Sequence, residues 1–385
     1  MLAHALQHRL EHYQKSHLLR ERYTIEERDG NTTIVNGQQL VNFCSSDYLG
    51  IATHPKVKTA FISGVQQYGL GSGSAALIAG FYKPQHQLEE KFAEFLNRDR
   101  ALFFNSGYHA NLGVITTLAD RQSVIIADKL CHASILDGIQ LSRAKHYRFL
   151  HNDLNHAATF INKAKENCLL ITESVFSMEG DISPVPQLAK LARENKATLL
   201  VDDAHGIGVL GKNGGGICEY YRLTQQDVPC LVTPFGKAIG SMGAIVSGSS
   251  QLIEAILQFA RTYRYSTALP PSVAFATLES LKIIQEETWR REKLNYLIEY
   301  FIQQAKVRSL SLITEAITPI KSILIGDTRL ALKIKEALIQ HGFFVSCIRP
   351  PSVAEGTTRI RISLNCAHEE HEISRLLDLI VMLLH

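Results

Sequence analysis

Short apolar runs alternate with longer stretches of helical periodicity over most of the chain. Apolar residues crowd into Ala101–Phe104, Val124–Ala127, Leu169–Thr172, Thr198–Val201, Cys230–Thr233 and Ala244–Ser247. Runs this short, rich in β-branched residues and ended by polar or glycine-containing turns, predict buried strands. Between them the apolar positions recur at helical spacing, as in 86–96, from about His109, and after His132. Strands alternating with helices predict a mostly parallel sheet covered on both faces. Before this region, Leu2, Leu6, Leu10, Tyr13 and Leu18 predict a helix over 2–20, and another is predicted over 55–68. Thr32–Val35 and Gln39–Phe43, on either side of Asn36-Gly37, predict short strands joined by a turn. The glycine-rich stretch Gly69-Leu70-Gly71-Ser72-Gly73-Ser74 follows a helix pattern and breaks dinucleotide-loop spacing. It reads as a loop that packs close to a ligand or a partner chain.

A long helical region is expected from about Pro271, with the charged run 286–293 inside it. Beyond it, strands are expected at Ile320–Ile325, Phe343–Ser346 and 359–364, with helices at 328–340 and 368–384. The fold class is therefore α/β: a large domain with a mostly parallel sheet plus a smaller α+β C-terminal domain. We place the boundaries at 1–50 for an N-terminal helix and strand segment, 51–285 for the large domain and 286–385 for the C-terminal domain.

Composition narrows the function classes. The chain has 385 residues, 45% hydrophobic and 20% charged, enough for a sizeable core. A net charge of +3, with both signs interspersed, gives no footprint for nucleic acid. The seven cysteines are odd in number, widely spaced and without a C-x-x-C pair. No disulfide framework or metal site is expected, and a reducing, cytoplasmic setting is. The N-terminus lacks the apolar core of a secretion signal, and no apolar run reaches membrane-span length.

In such sheets ligands bind beyond the carboxyl ends of the strands. The polar residues that follow the predicted strands thus converge on one rim. Lys237 follows Cys230–Thr233, where a lysine could hold the aldehyde of pyridoxal phosphate. Asp203, after Thr198–Val201, could face the pyridine nitrogen, and His132 could stack on the ring. Ser177 and His205 could reach the ring oxygen. Gly107 and Tyr108 offer backbone N–H groups at a helix start, a seat for phosphate. In the C-terminal region Arg359, Arg361 and Ser363 alternate with Ile360, Ile362 and Leu364, so the arginines share one face of a strand. Arg349 and Arg361 are candidates for a substrate carboxylate. Arg359 reads equally well as one half of an ion pair.

The motifs Asn42-Phe43-x-x-x-Asp47-Tyr48-Leu49-Gly50, His151-Asn152-Asp153, Val175-Phe176-Ser177-Met178-Glu179-Gly180-Asp181, Asp203-Ala204-His205-Gly206 and Phe235-Gly236-Lys237 together resemble the α-oxoamine synthases. The likeness runs from about residue 20 to the C-terminus. It implies a fold-type-I pyridoxal-phosphate enzyme that joins an amino acid to an acyl thioester with loss of CO2. The stretches 348–353 and 356–361 are most similar to the family member that uses L-alanine and a pimeloyl thioester, carried by coenzyme A or by an acyl carrier protein, in biotin biosynthesis. The resemblance further implies that Lys237 also takes the alanine Cα proton, that Arg20 and Ser352 contact substrate, and that His132 contacts both ring and substrate. It implies a homodimer in which Tyr265-Ser266-Thr267 reaches the partner's phosphate. Three positions depart from the family pattern. Pro234 stands where a phosphate-binding threonine is usual, leaving Thr233 one step further back, and Leu77 and Ala79 replace the common polar residues of the glycine-rich loop. A sister synthase using glycine and acetyl-CoA, and a non-catalytic relative, are the alternatives.

Overall fold

The computed structural model describes residues 2–164 and 167–384. The chain forms two compact units. One comprises 51–176 and 182–291; the other comprises 1–50, 177–181 and 292–385. The N-terminal segment thus shares a unit with the C-terminal region, and a five-residue piece from mid-chain joins them.

The larger unit is built on a seven-stranded sheet. Its strands are β1 (Arg100–Phe104), β2 (Val124–Asp128), β3 (Lys145–Phe149), β4 (Cys168–Glu173), β5 (Thr198–Asp202), β6 (Cys230–Pro234) and β7 (Ala244–Gly248), in the order β1-β7-β6-β5-β4-β2-β3. β7 is antiparallel to both neighbours, and the remaining pairs are parallel. The apolar runs produce β1, β2 and β4 to β7, whose central residues are fully buried. β3 escapes the pattern. Its sequence, Lys-His-Tyr-Arg-Phe, is mostly exposed because the strand lies at the sheet edge, where one side needs no apolar cover. On one face Leu200, Val232, Ile171 and Ala127 pack into a single cluster with Ala110, Val114 and Ile115 of the helix Gly107–Leu118 and with Ile135 and Ile139 of the helix Ala133–Ser142. A Cβ on Gly138 would lie 3.0 Å from Ile115 Cδ1, so the two helices approach closely there.

The smaller unit holds two sheets. One aligns Ile25–Asp29, Thr32–Val35, Gln38–Asn42 and Phe343–Phe344; the other aligns Ile320–Gly326, Thr358–Ser363 and Ser346–Ile348. The single strand expected at Phe343–Ser346 therefore divides between two sheets. The expected helix 2–20 ends at Lys15, where His17 takes a left-handed φ of 58° and Leu18 N–H returns to the Tyr13 carbonyl, closing the helix. The long helical region from Pro271 breaks at Glu287–Thr288 into Pro271–Glu286 and Trp289–Val307.

The loop Ser177–Asp181 is gripped from several sides within the smaller unit. Arg361 Nε donates to the Ser177 carbonyl (2.7 Å), Ser322 Oγ to that of Met178 (2.9 Å) and Thr318 Oγ1 to that of Gly180 (2.5 Å). Arg359 pairs with Glu179 at 3.1 Å, both mostly buried. A Cβ on Gly180 would lie 2.3 Å from the Ile320 carbonyl oxygen, and its φ is +80°, so glycine is required.

Candidate active site

The carboxyl ends of the parallel strands in the larger unit bring together most of the expected cofactor residues. Lys237 lies in the loop between β6 and β7. The bonds Phe235 N–H to Gly243 O (2.9 Å), Gly240 N–H to Lys237 O (2.8 Å) and Ser241 N–H to Phe235 O (3.0 Å) fold this loop on itself. Phe235 is fully buried against the rings of Phe92 and Phe103, which fixes the base of the loop.

Next in the sheet, β5 ends in two aspartates whose side chains leave opposite faces. Asp202 has the parity of Leu200 and so shares the face covered by the helices Gly107–Leu118 and Ala133–Ser142. Its Oδ2 accepts a hydrogen bond from Asn111 Nδ2 at 2.7 Å. Asp203 turns the other way. Its Oδ2 accepts from Ile217 N–H at 3.0 Å, and the carboxylate is wedged where a Cβ on Gly206 or Gly216 would strike it. The expectation that Asp203 faces the ring nitrogen is thereby corrected: the carboxylate on the His132 face is Asp202. The parity of the buried Leu200 was the available signal in the sequence. Burial pushes the Asp203 carboxyl up to about 7, against the opposing hydrogen bond from Ile217 N–H.

Glu173, at the end of β4, is the Cα partner of Asp202 in the sheet. Its Oε1 accepts the main-chain N–H of His132 at 2.5 Å. Burial, and then the charge of Asp202, hold the Glu173 carboxyl well above the usual range, while the nearby Lys237 ammonium opposes the shift. His132 caps the helix Ala133–Ser142: Ser134 N–H donates to His132 Nδ1 at 3.2 Å, and Ser134 Oγ lies 2.8 Å from the same nitrogen. Asn111 Nδ2 also donates to Ser134 Oγ, at 2.9 Å. Sequence reasoning named neither Asn111 nor Ser134; polar residues inside a helix pattern carry no distinguishing signal. His205 is buried two residues beyond Asp203.

Gly107 and Tyr108 begin a helix capped by Ser106, whose Oγ accepts from His109 N–H at 3.2 Å. The first N–H groups of a helix have no intrahelical acceptor. A Cβ on Gly107 would lie 2.7 Å from Pro234 Cγ, so the start of this helix must stay bare. That leaves main-chain donors open at the rim and fits a phosphate. Thr233 does not join them. Its side chain is fully buried inside β6, paired with Ile245, and its hydroxyl has no partner among the described residues. A shifted turn that would carry Thr233 to the phosphate is not present; the ring of Pro234 ends the strand instead. The Tyr265–Thr267 segment lies against this chain's own rim, where Asn105 Nδ2 donates to the Thr267 carbonyl at 2.8 Å. The glycine-rich loop is tied to the same segment through Ser72 Oγ and the Ala268 carbonyl, 2.6 Å apart.

The smaller unit gathers the expected substrate residues. Arg20 Nη2 donates to Ser352 Oγ at 3.0 Å. Arg349 donates from Nε to the His17 carbonyl at 2.9 Å and from Nη2 to the Leu19 carbonyl, so it organises the N-terminal segment. Arg361 and Ser177 are joined through the latter's carbonyl. Arg359, for which a surface ion pair and a carboxylate contact read equally well from sequence, pairs with Glu179, and that pair is mostly buried. No group of three or more potential metal ligands occurs among the described residues, and no helix there is long and apolar enough to cross a membrane.

Comparison with known proteins converges on one family. Residues 38–380 match the model for class I and II aminotransferases. The 8-amino-7-oxononanoate synthase of Pseudomonas putida strain F1 is 46% identical over 377 residues, covering 98% of this chain and 96% of that protein. The chain belongs to this family. The corresponding synthase of Pseudomonas savastanoi pv. phaseolicola is 44% identical over 373 residues, covering 97% of this chain and 94% of its own. Among solved structures, the 8-amino-7-oxononanoate synthase of Francisella tularensis superposes with a TM-score of 0.80 at 35% identity, covering 89% of this chain and 97% of that one. A serine palmitoyltransferase from S. paucimobilis, solved with a bound PLP–myriocin aldimine, reaches 0.93 at 27% identity, covering 98% of this chain and 96% of its own. The fold is the fold-type-I pyridoxal-phosphate architecture and the cofactor is pyridoxal phosphate. The reaction implied by the resemblance stands: a decarboxylative condensation of L-alanine with a pimeloyl thioester that yields 8-amino-7-oxononanoate, CO2 and free thiol.

Proposed function

We propose that Lys237, Asp202 and His132 carry this chemistry, with phosphate held at Gly107 and Tyr108 and the ring oxygen met by Ser177 and His205. When bound, pyridoxal phosphate supplies the electron sink for bonds broken at the amino-acid α-carbon. Lys237 anchors the cofactor, and its Nζ is the base that takes the alanine Cα proton and returns a proton to the product. Asp202 keeps a negative charge against the ring nitrogen. Glu173 holds the backbone of His132, so the imidazole keeps its plane while substrate exchanges. Arg361 gives its Nε to Ser177, and its terminal nitrogens are the donors we assign to the amino-acid carboxylate. Arg349, whose Nε and Nη2 donate to carbonyls of the N-terminal segment, is the second candidate for that carboxylate. Arg20 and Ser352 form a hydrogen-bonded pair suited to a polar part of the acyl substrate. We further infer a cytoplasmic homodimer that takes L-alanine and a pimeloyl thioester of coenzyme A or an acyl carrier protein.

The observation that supports the reading best is the set Lys237, Asp202, Glu173 and His132 on successive strand ends. It is tested by visible absorbance of the purified protein on addition of L-alanine or glycine, with thiol release from pimeloyl-CoA read alongside. Alanine is expected to shift the cofactor band and to support thiol release, and Lys237→Ala to abolish both. A response to glycine alone would replace the alanine assignment with the glycine-using sister reaction.

A further inference from the structure

The hydrogen bonds behind His132 form a chain through Asn111 and Ser134 to Asp202 that the chemistry above does not use. Asn111 Nδ2 spends both its protons, one on Asp202 Oδ2 (2.7 Å) and one on Ser134 Oγ (2.9 Å). A rotated amide would set its oxygen against the Asp202 carboxylate, so Asp202 fixes which way Asn111 points. Ser134 Oγ thus accepts from Asn111 and keeps its own proton to donate to His132 Nδ1, 2.8 Å away. The Ser134 main-chain N–H reaches the same nitrogen at 3.2 Å and can only donate. With two donors aimed at it, Nδ1 is the acceptor and the imidazole proton sits on Nε2. Glu173 separately holds the His132 backbone N–H and lies beside Asp202 in the sheet. Asn111 and Ser134 are both buried, at 1% and 0% exposure, whereas the His132 side chain is exposed at the rim.

We propose that Asn111 and Ser134 are positioning residues that link Asp202 to His132 and hold the imidazole in the tautomer presenting Nε2–H to the substrate side. The inference rests on the roles proposed for His132 and Asp202, but its first test does not use activity. In protein with 15N-labelled histidine, the His132 resonance, assigned by its loss in His132→Asn, is expected to show unprotonated Nδ1 and protonated Nε2. This should hold with and without cofactor. A protonated Nδ1 in either form would overturn the proposal, and this outcome is independent of whether His132 serves catalysis.

The second test separates positioning from packing. Ser134→Ala removes the hydroxyl link and is expected to shift the tautomer ratio and lower kcat roughly tenfold, with little change in cofactor affinity. Asn111→Ala should behave alike, and the double variant should be no worse than the poorer single one, since both break the same chain. Losses that multiply in the double variant, or lowered melting temperatures with an unchanged tautomer, would show two separate packing sites and refute the link.

Discussion

At the scale of single residues, two adjacent aspartates divide their work by parity alone. Asp202 faces the His132 side; Asp203 caps the start of the helix Gly216–Tyr221 from the other side of the sheet. Asp202→Asn is expected to lower kcat by about a hundredfold or more, because the charge we assign to the ring nitrogen is lost. Asp203→Asn should leave turnover per folded molecule near that of the parent and act on stability, with a pH dependence whose sign is fixed. The Asp203 carboxyl sits at about 7 in the fold against an ordinary value of 3.8, so the folded chain holds this proton more tightly than the unfolded one. The resulting stabilisation is present below about pH 4 and is lost as pH rises toward 7. Asn keeps an acceptor without the charge, so the variant should exceed the parent in chemical denaturation at pH 8 by roughly 1–3 kcal/mol, with the difference vanishing near pH 4.

Among elements, the strand Thr358–Ser363 has a double role. Alternate residues put Arg359 and Arg361 on one side, where both hold the Ser177–Asp181 loop. Arg359→Met leaves the Glu179 carboxylate in a mostly buried place without its cation, at an expected cost of about 3 kcal/mol read by urea denaturation. Removing both charges in Arg359→Met/Glu179→Gln should recover much of that loss. The strand itself was legible from its alternation, but its partner loop was not, because nothing local marks a contact 180 positions or more away. The same limit explains other gaps. The central strands announce themselves through uninterrupted apolar runs. β3 has an edge strand's polar sequence, and Phe343–Ser346 divides between two sheets because each half finds a different neighbour. The rim residues could be read because they follow strands directly. The choice between Asp202 and Asp203 needed the side of the sheet, and Asn111 and Ser134 needed the packing of two helices.

On the scale of the whole molecule, strongly shifted buried groups in the two units titrate in opposite senses. His368, buried in the smaller unit, stacks on Phe43 at 4.0 Å, accepts from Asn365 N–H and donates to the Asn42 carbonyl. Burial lowers its pKa from 6.5 to about 3. Its neutral form therefore adds stability above about pH 6.5 that is lost as pH falls toward 3. Lys321, also in the smaller unit, is lowered by burial from 10.5 to about 7, so its contribution likewise shrinks as pH falls through that interval. Asp203, in the larger unit, gains as pH falls. Hydrogen exchange at pH 5 is thus expected to open amides of the smaller unit before those of the seven-stranded sheet, and His368→Gln should narrow the gap.

The Ser177–Asp181 loop also carries a consequence for synthesis. Every strand of the large sheet, and Lys237 with it, has left the ribosome by the time residue 291 is made. The residues that grip the loop, Thr318, Ser322, Arg359 and Arg361, come later, the last pair in the stretch Thr358–Ser363. A nascent chain halted before that stretch can own a finished sheet and its lysine while Ser177 still lacks its anchor. The strand Thr358–Ser363 is then the element whose arrival fixes the loop.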